Sequence, residues 1–146
     1  MFLKPAPLLL WNLSASMPRG LYLVRSEAEP RRGDMVIAWT PGPARALAAE
    51  RRYLPSNVPL LKEVAARAGD RICARGAAIF VKGRRVAHRF PKDSIGRALP
   101  HWSGCRTLGA GEYLLLGRHP RSFDGRNFGV TDGKDIIGLA EQPWVR

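Results

Sequence analysis

Short alternations of apolar and polar residues, interrupted by glycine or proline, run through most of this chain. A period of two is the pattern of strands buried on one face. It predicts strands at 20–24, 35–39, 60–65, 71–73, 78–81, 85–88, 113–116 and 136–140. Lys82-Gly83-Arg84 reads as a tight hairpin between two of them. The period changes clearly once, at 44–53, a stretch rich in Ala, Leu, Glu and Arg. It follows Pro43, a residue favoured at a helix start, and Pro55 is expected to end it. Without internal repeats or low-complexity segments, the expectation is one mainly β domain over residues 1–146 with one short helix.

Composition narrows the class. Hydrophobic residues make up 45% and charged residues 25%, which is globular and far from the profile of disordered chains. The 24 Lys and Arg against 12 Asp and Glu give a formal charge of +12, a field that attracts phosphates or anionic headgroups. The basic residues are scattered as pairs such as Arg31-Arg32, Arg51-Arg52 and Arg84-Arg85. Aromatics do not interleave with them, and neither zinc-finger nor helix-turn-helix spacing occurs, so no nucleic-acid partner is expected.

The most apolar stretch, 7–13, is far shorter than the ~20 residues that span a bilayer. Lys4 is not followed by the long apolar region of a secretory signal. The expectation is a cytoplasmic protein or one whose anchor lies outside this chain. Cys73 and Cys105 form no C-x-x-C pair, and His88, His101 and His119 have no metal-ligand spacing, so no metal is expected. On composition alone the two cysteines read as buried thiols in a reducing compartment or a bridge in an oxidising one.

Three constellations carry chemistry. In Asn12-Leu13-Ser14-Ala15-Ser16-Met17-Pro18-Arg19-Gly20, two serines two apart present both hydroxyls on one side of an extended segment. Pro18 and Gly20 supply a turn that exposes a hydroxyl and its backbone N–H, as a nucleophile with an oxyanion donor requires. In Leu60-Leu61-Lys62-Glu63-Val64, a lysine sits among apolar neighbours on a strand. Burial there lowers its pKa and frees the amine to act as a base; the blander alternative is a lysine reaching out to solvent. Gly69-Asp70 after it reads as a turn. In Gly117-Arg118-His119-Pro120-Arg121-Ser122-Phe123-Asp124-Gly125-Arg126-Asn127-Phe128-Gly129, a hydroxyl, a carboxylate and a guanidinium alternate at 122, 124 and 126, so Asp124 and Arg126 can brace the loop while Ser122 hydrogen-bonds a lysine. The alternative is an exposed glycine-rich loop with a weak surface ion pair.

Taken in order, these blocks resemble the signal peptidase superfamily of serine–lysine peptidases, and most closely its TraF-type conjugative transfer branch. The resemblance covers nearly the whole chain. It implies a signal-peptidase-like β fold, Ser16 as nucleophile before Met17, and an oxyanion hole of Ser14 and the Ser16 N–H. It further implies Lys62 as general base, with Ser122, Asp124 and Arg126 in support. Gly33-Asp34-Met35-Val36 resembles the strand after the nucleophile block. Tyr53-Leu54-Pro55, Pro59-Leu60-Leu61-Lys62 and Trp102-Ser103-Gly104-Cys105-Arg106 resemble the TraF branch in particular, while Gly125 stands where many members carry a second serine.

The resemblance also implies no cofactor, a pilin precursor or other exported protein as substrate, and the periplasmic face of the inner membrane as the place of action, next to the membrane surface. In that compartment Cys73 and Cys105 are expected to form a disulfide. Two rivals stand beside this reading. A LexA- or UmuD-like self-cleaving domain shares the dyad but needs its own cleavage site ahead of the nucleophile, and Ser16 lies close to the start of the chain. A basic nucleic-acid-binding module accounts for the charge but leaves three ordered blocks as coincidence.

Overall fold

A computed structural model of the chain describes residues 8–12, 20–25 and 29–141, with side chains from Tyr22 onward. The strands are β1 Leu8–Asn12, β2 Gly20–Arg25, β3 Met35–Ala38, β4 Leu60–Ala66, β5 Arg71–Arg75, β6 Ala78–Val81, β7 Arg84–His88, β8 Gly104–Thr107, β9 Glu112–Leu116, β10 Thr131–Asp132 and β11 Ile136–Glu141. Among the described residues two α-helices, α1 Gly42–Glu50 and α2 Gly125–Phe128, and a 3-10 turn at Gly133–Asp135 accompany them. The strands form two antiparallel sheets, one of seven strands ordered β1-β2-β11-β3-β4-β9-β10 and one of four ordered β7-β6-β5-β8. The protein is mainly β.

All the strands predicted by alternation are present. Three others carry no alternation to read. β1 lies within the apolar run 7–13, and it pairs with β2 from Leu8↔Val24 to Asn12↔Gly20. The residues of β8 are all exposed, and its strand geometry comes from pairing with β5. β10 is two residues long.

The helix needs a correction at its end. It begins with Pro43 in its first turn, as that residue's fixed φ favours, but it stops at Glu50, ahead of Tyr53 and Pro55. Arg52 turns left-handed at φ 61°, and the Tyr53 N–H donates back to the Ala48 carbonyl at 2.8 Å. This left-handed reversal closes the helix before Pro55 can act. The hairpin turn is Lys82-Gly83, with φ of 52° and 78°, the two positive values of a type I′ turn that matches strand twist; Arg84 already belongs to β7.

Ala66, Ile72, Ala74, Ile79, Val81, Leu114 and Leu116 form a shared apolar cluster between the seven-stranded and four-stranded sheets. The larger sheet carries a second cluster around Tyr22, Ile37 and Leu61 and a third around Val36, Val64 and Leu115. With apolar packing on both faces of β4, any polar side chain directed inward there loses its water.

Among the described residues no helix is long and apolar enough to cross a membrane. Cys73 and Cys105 are register partners on β5 and β8, and their sulfurs are bonded, with Cα atoms 4.1 Å apart. The bridge closes a sequence separation of 32, which on loop-closure grounds stabilises the fold by roughly 3–4 kcal/mol. Alkylation of unreduced protein should label no thiol and alkylation after reduction two, read by intact mass. The Cys73→Ser/Cys105→Ser chain should lose about 3 kcal/mol in urea unfolding.

Candidate active site

Lys62 is the polar residue that β4 directs inward. Its register partner is Val36, and partners across a ladder point to the same side, as do residues two apart on one strand. Lys62 therefore shares a face with Val36 and Val64 and is 3% exposed. Burial pushes its amine down from the ordinary lysine value to about 8; the Asp124 carboxylate opposes this and the Arg126 guanidinium adds to it. The alternative of a lysine reaching out to water is excluded by this placement.

Gly117, just after β9, makes room for the amine. A Cβ added there would lie 2.9 Å from Lys62 Nζ and would overlap Ser122 Oγ, so both groups occupy the space that a side chain at 117 would fill. They converge without hydrogen-bonding each other. Ser122 Oγ is buried and has no hydrogen-bond partner among the described residues, so the bond to a lysine inferred from sequence is not made here.

The ion pair Asp124–Arg126 grips the same glycine. Asp124 Oδ2 accepts from the Gly117 N–H at 2.6 Å, and Arg126 Nη2 donates to the Gly117 carbonyl at 2.7 Å. The two side chains meet through Arg126 Nε and Asp124 Oδ1 at 2.8 Å. Asp124 also caps α2 by accepting from the Arg126 N–H at 3.0 Å. Arg126 Nη1 donates to the carbonyls of His88 and Pro120, each at 3.2 Å. With Asp124 0% and Arg126 5% exposed, the reading of this segment as an exposed loop with a weak surface pair fails. A buried pair holds when its remaining donors and acceptors are satisfied, as most are here.

Gly125 is fixed by close approach. An added Cβ would lie 2.7 Å from Leu114 Cδ1 and 2.9 Å from the Leu115 carbonyl oxygen, so α2 packs too tightly on β9 for a serine at this position. Arg89, which the sequence did not single out, and Trp102, named only within the 102–106 segment, also hold α2. Arg89 is 2% exposed and donates to the carbonyls of Gly76 at 2.8 Å and Arg126 at 3.2 Å. Trp102 Nε1 donates to the Gly125 carbonyl at 2.8 Å. No local pattern marks Arg89, which stands between His88 and Phe90; Gly117 opens the third block, but nothing in its residue type shows that it makes room for Lys62.

Lys62, Ser122, Asp124 and Arg126 are thus gathered around one glycine. Ser14 and Ser16 lie outside the described residues. Asn12 and Gly20, on either side of them, are register partners across β1 and β2.

A buried lysine with a depressed pKa, converging with a serine hydroxyl and braced by an ion pair, can act as a base toward a nearby hydroxyl. The signal peptidase family, peptidase S26, matches residues 1–145. The chain belongs to that family and is a serine peptidase of the signal peptidase type. No individually curated protein matches it. Among solved structures it is similar to a signal peptidase I from Enterococcus faecalis V583, at 18% identity over 77% of this chain and 97% of that one, with a TM-score of 0.45.

Asp124→Asn keeps an acceptor for the Gly117 N–H but leaves the buried Arg126 guanidinium without a counter-charge. It should cost about 3 kcal/mol in urea unfolding. Gly117→Ala places a methyl group on Lys62 Nζ and Ser122 Oγ and should cost roughly 1–3 kcal/mol, with a thermal melt as the check. A melt unchanged in either variant would contradict the packing described.

Proposed function

We propose that this peptidase cleaves exported precursor proteins with a serine–lysine dyad, Ser16 as nucleophile and Lys62 as general base. The observation that carries the reading is Lys62 itself, buried on β4 with its pKa lowered to about 8. An amine of that pKa is neutral in roughly a tenth to a fifth of the molecules near physiological pH, against about one in a thousand for a solvated lysine.

In the proposed cycle, neutral Lys62 takes the proton of the Ser16 hydroxyl, and the oxygen attacks the scissile carbonyl. The resulting oxyanion accepts hydrogen bonds from the Ser16 N–H and the Ser14 hydroxyl. Lys62, now an ammonium, returns its proton to the departing amine as the C–N bond breaks, leaving an ester on Ser16. Neutral Lys62 then activates water, and hydrolysis restores the serine; an amine attacking the same ester instead closes a new peptide bond, as in cyclisation of a pilin. Asp124 and Arg126 position the site through Gly117 and transfer no proton. Ser122 converges with Lys62 beside Gly117, its hydroxyl without a partner among the described residues.

The TraF-type assignment and a pilin-like substrate rest on the segments 53–55, 59–62 and 102–106. Placement at the periplasmic face of the membrane is supported by the Cys73–Cys105 bridge, which belongs to an oxidising compartment. The formal charge of +12 suits a surface of anionic headgroups.

Ser16→Ala and Lys62→Met should each abolish cleavage of a precursor with small residues before the scissile bond, and the double variant should be no worse than either single one. Lys62→Arg should not restore activity, because a guanidinium stays protonated. The wild-type rate should climb with pH and level off above about 8. Asp124→Asn should lower turnover while Ser16 still reacts with a serine-acylating inhibitor. Wild-type cleavage by the Lys62→Met protein would sink the dyad.

Stability gives an independent reading of the same amine. Its folded pKa of about 8 lies below the unfolded value of about 10.4, so between these the unfolded chain binds more protons and stability rises with pH. Below pH 8 the full cost of the buried ammonium applies. Lys62→Met should therefore be more stable than wild type at pH 7, by on the order of 3 kcal/mol, with the gap closing toward pH 10. Urea unfolding across that range checks it, and a gap that does not change with pH would overturn the assignment.

A further inference from the structure

A cleft of about 720 Å³ opens beside Gly117, between β7 and the 63–65 segment of β4. That volume lies within the range of about 300–1,000 Å³ of sites that enclose a sizeable ligand. Val86, Ala87 and His88 line it in succession. Consecutive side chains of a strand point to opposite faces, so the cleft follows the margin of β7 and not one face. Among the described residues no strand pairs with that margin, because β7 is the edge of its sheet; its one side-chain bond there is from Arg126 to the His88 carbonyl.

Two β-bulges meet at this cleft. The register of β7 against β6 passes from Ile79↔Ala87 to Phe80↔Arg85, which leaves Val86 as an extra residue. The register of β4 against β9 passes from Val64↔Leu115 to Ala66↔Leu114, which leaves Ala65 as another. A bulge re-aims its side chain out of the ladder. Both residues line the cleft, and Val86 is 45% exposed.

The charge of the lining is one-sided. Arg32, Arg118 and Arg126 face one acid, Glu63, which pairs with Arg118 at 3.3 Å. The Arg126 guanidinium is held by Asp124 and by backbone carbonyls. Arg32 makes no ion pair among the described residues. His88 Nδ1 lies 3.2 Å from Arg85 Nη2, which brings a further guanidinium close to this lining. The remaining field is positive over two small apolar bulges beside an open strand edge.

An extended polypeptide satisfies all three features. Its backbone can pair along a free edge, its small side chains meet the bulges, and a carboxylate answers the arginines. Gly117 joins the cleft to the dyad region, because the same residue lines the one and leaves room for Lys62 Nζ in the other. We propose that this cleft is a second recognition site for the substrate polypeptide. It takes an extended segment near the cleaved bond, with an acidic side chain held by Arg32 and Arg118 and small apolar side chains against Ala65 and Val86. The identity of the ligand as substrate rests on the peptidase reading above.

The test uses the full chain carrying Ser16→Ala and fluorescently labelled alanine–valine peptides bearing one Asp, one Asn or one Lys, with binding read by anisotropy. The Asp peptide should bind roughly tenfold more tightly than the Lys peptide, with Asn between. The preference should shrink in high salt and disappear in Arg32→Ser/Arg118→Ser, whose fold is checked by its melt. Val86→Asp should weaken the Asp peptide most. Equal affinities, or a preference that survives the double substitution, would overturn the proposal. So would phosphatidylglycerol vesicles that bind through these arginines while the peptides show no charge preference. Peptide mass recorded alongside keeps the two readings apart: cleavage by the Ser16→Ala protein overturns the nucleophile assignment, while the initial anisotropy ranking still decides the cleft.

Discussion

Gly117 is held at both ends of its own backbone by one buried ion pair, and the geometry of the site follows from that grip. Asp124 takes its N–H and Arg126 its carbonyl, so the pair fixes a residue whose missing side chain is the space used by Lys62 Nζ and Ser122 Oγ. The guanidinium carries the grip further, to the carbonyls of His88 and Pro120. One cation thereby ties the end of β9, the end of β7 and the loop before α2 into a single frame. A lysine in its place would offer a point charge and could not reach several carbonyls in one plane.

The frame matters because Lys62 sits where the fold least favours charge. Its neighbours across and along the sheet are Val36 and Val64, and the protein loses stability in order to keep an amine there. Asp124 and Arg126 act on that amine in opposite senses, and burial is the largest influence on its pKa. The pair therefore gives position without re-charging the group it positions. A lone carboxylate at the same place would have held the amine protonated.

Much of this was readable from residue order. Alternation found the strands that bury one face, and the blocks around Lys62 and Ser122-Phe123-Asp124-Gly125-Arg126 named side chains that the fold brings together. What escaped has physical causes. β8 has no buried face and therefore no period, and β1 is too uniformly apolar to show one. The helix end was misplaced because Arg52, a residue with no special preference for left-handed backbone, makes the reversal that proline was expected to force. Burial of Asp124 and Arg126 depends on the packing of α2 against β9, a long-range contact invisible in a local run of Gly, Asp and Arg. Arg89 and Gly117 matter through whose carbonyl or whose space they touch, which residue type does not encode. The hydrogen bond inferred between Ser122 and a lysine is the opposite case: the partners were well chosen and their orientation was not.

The margin of β7 has one more consequence, for how the protein keeps to itself. An uncovered strand edge is a template for another copy of the same strand, and small basic proteins at high concentration would be exposed to that form of association. β5, β6, β7 and β8 together hold five arginines and no acidic residue. Two copies meeting edge to edge along β7 would bring Arg84 and Arg85 of each against those of the other, with no carboxylate on either sheet to offset them. The charge that admits an acidic visitor thus repels the protein's own twin, and the edge can stay open without a cap.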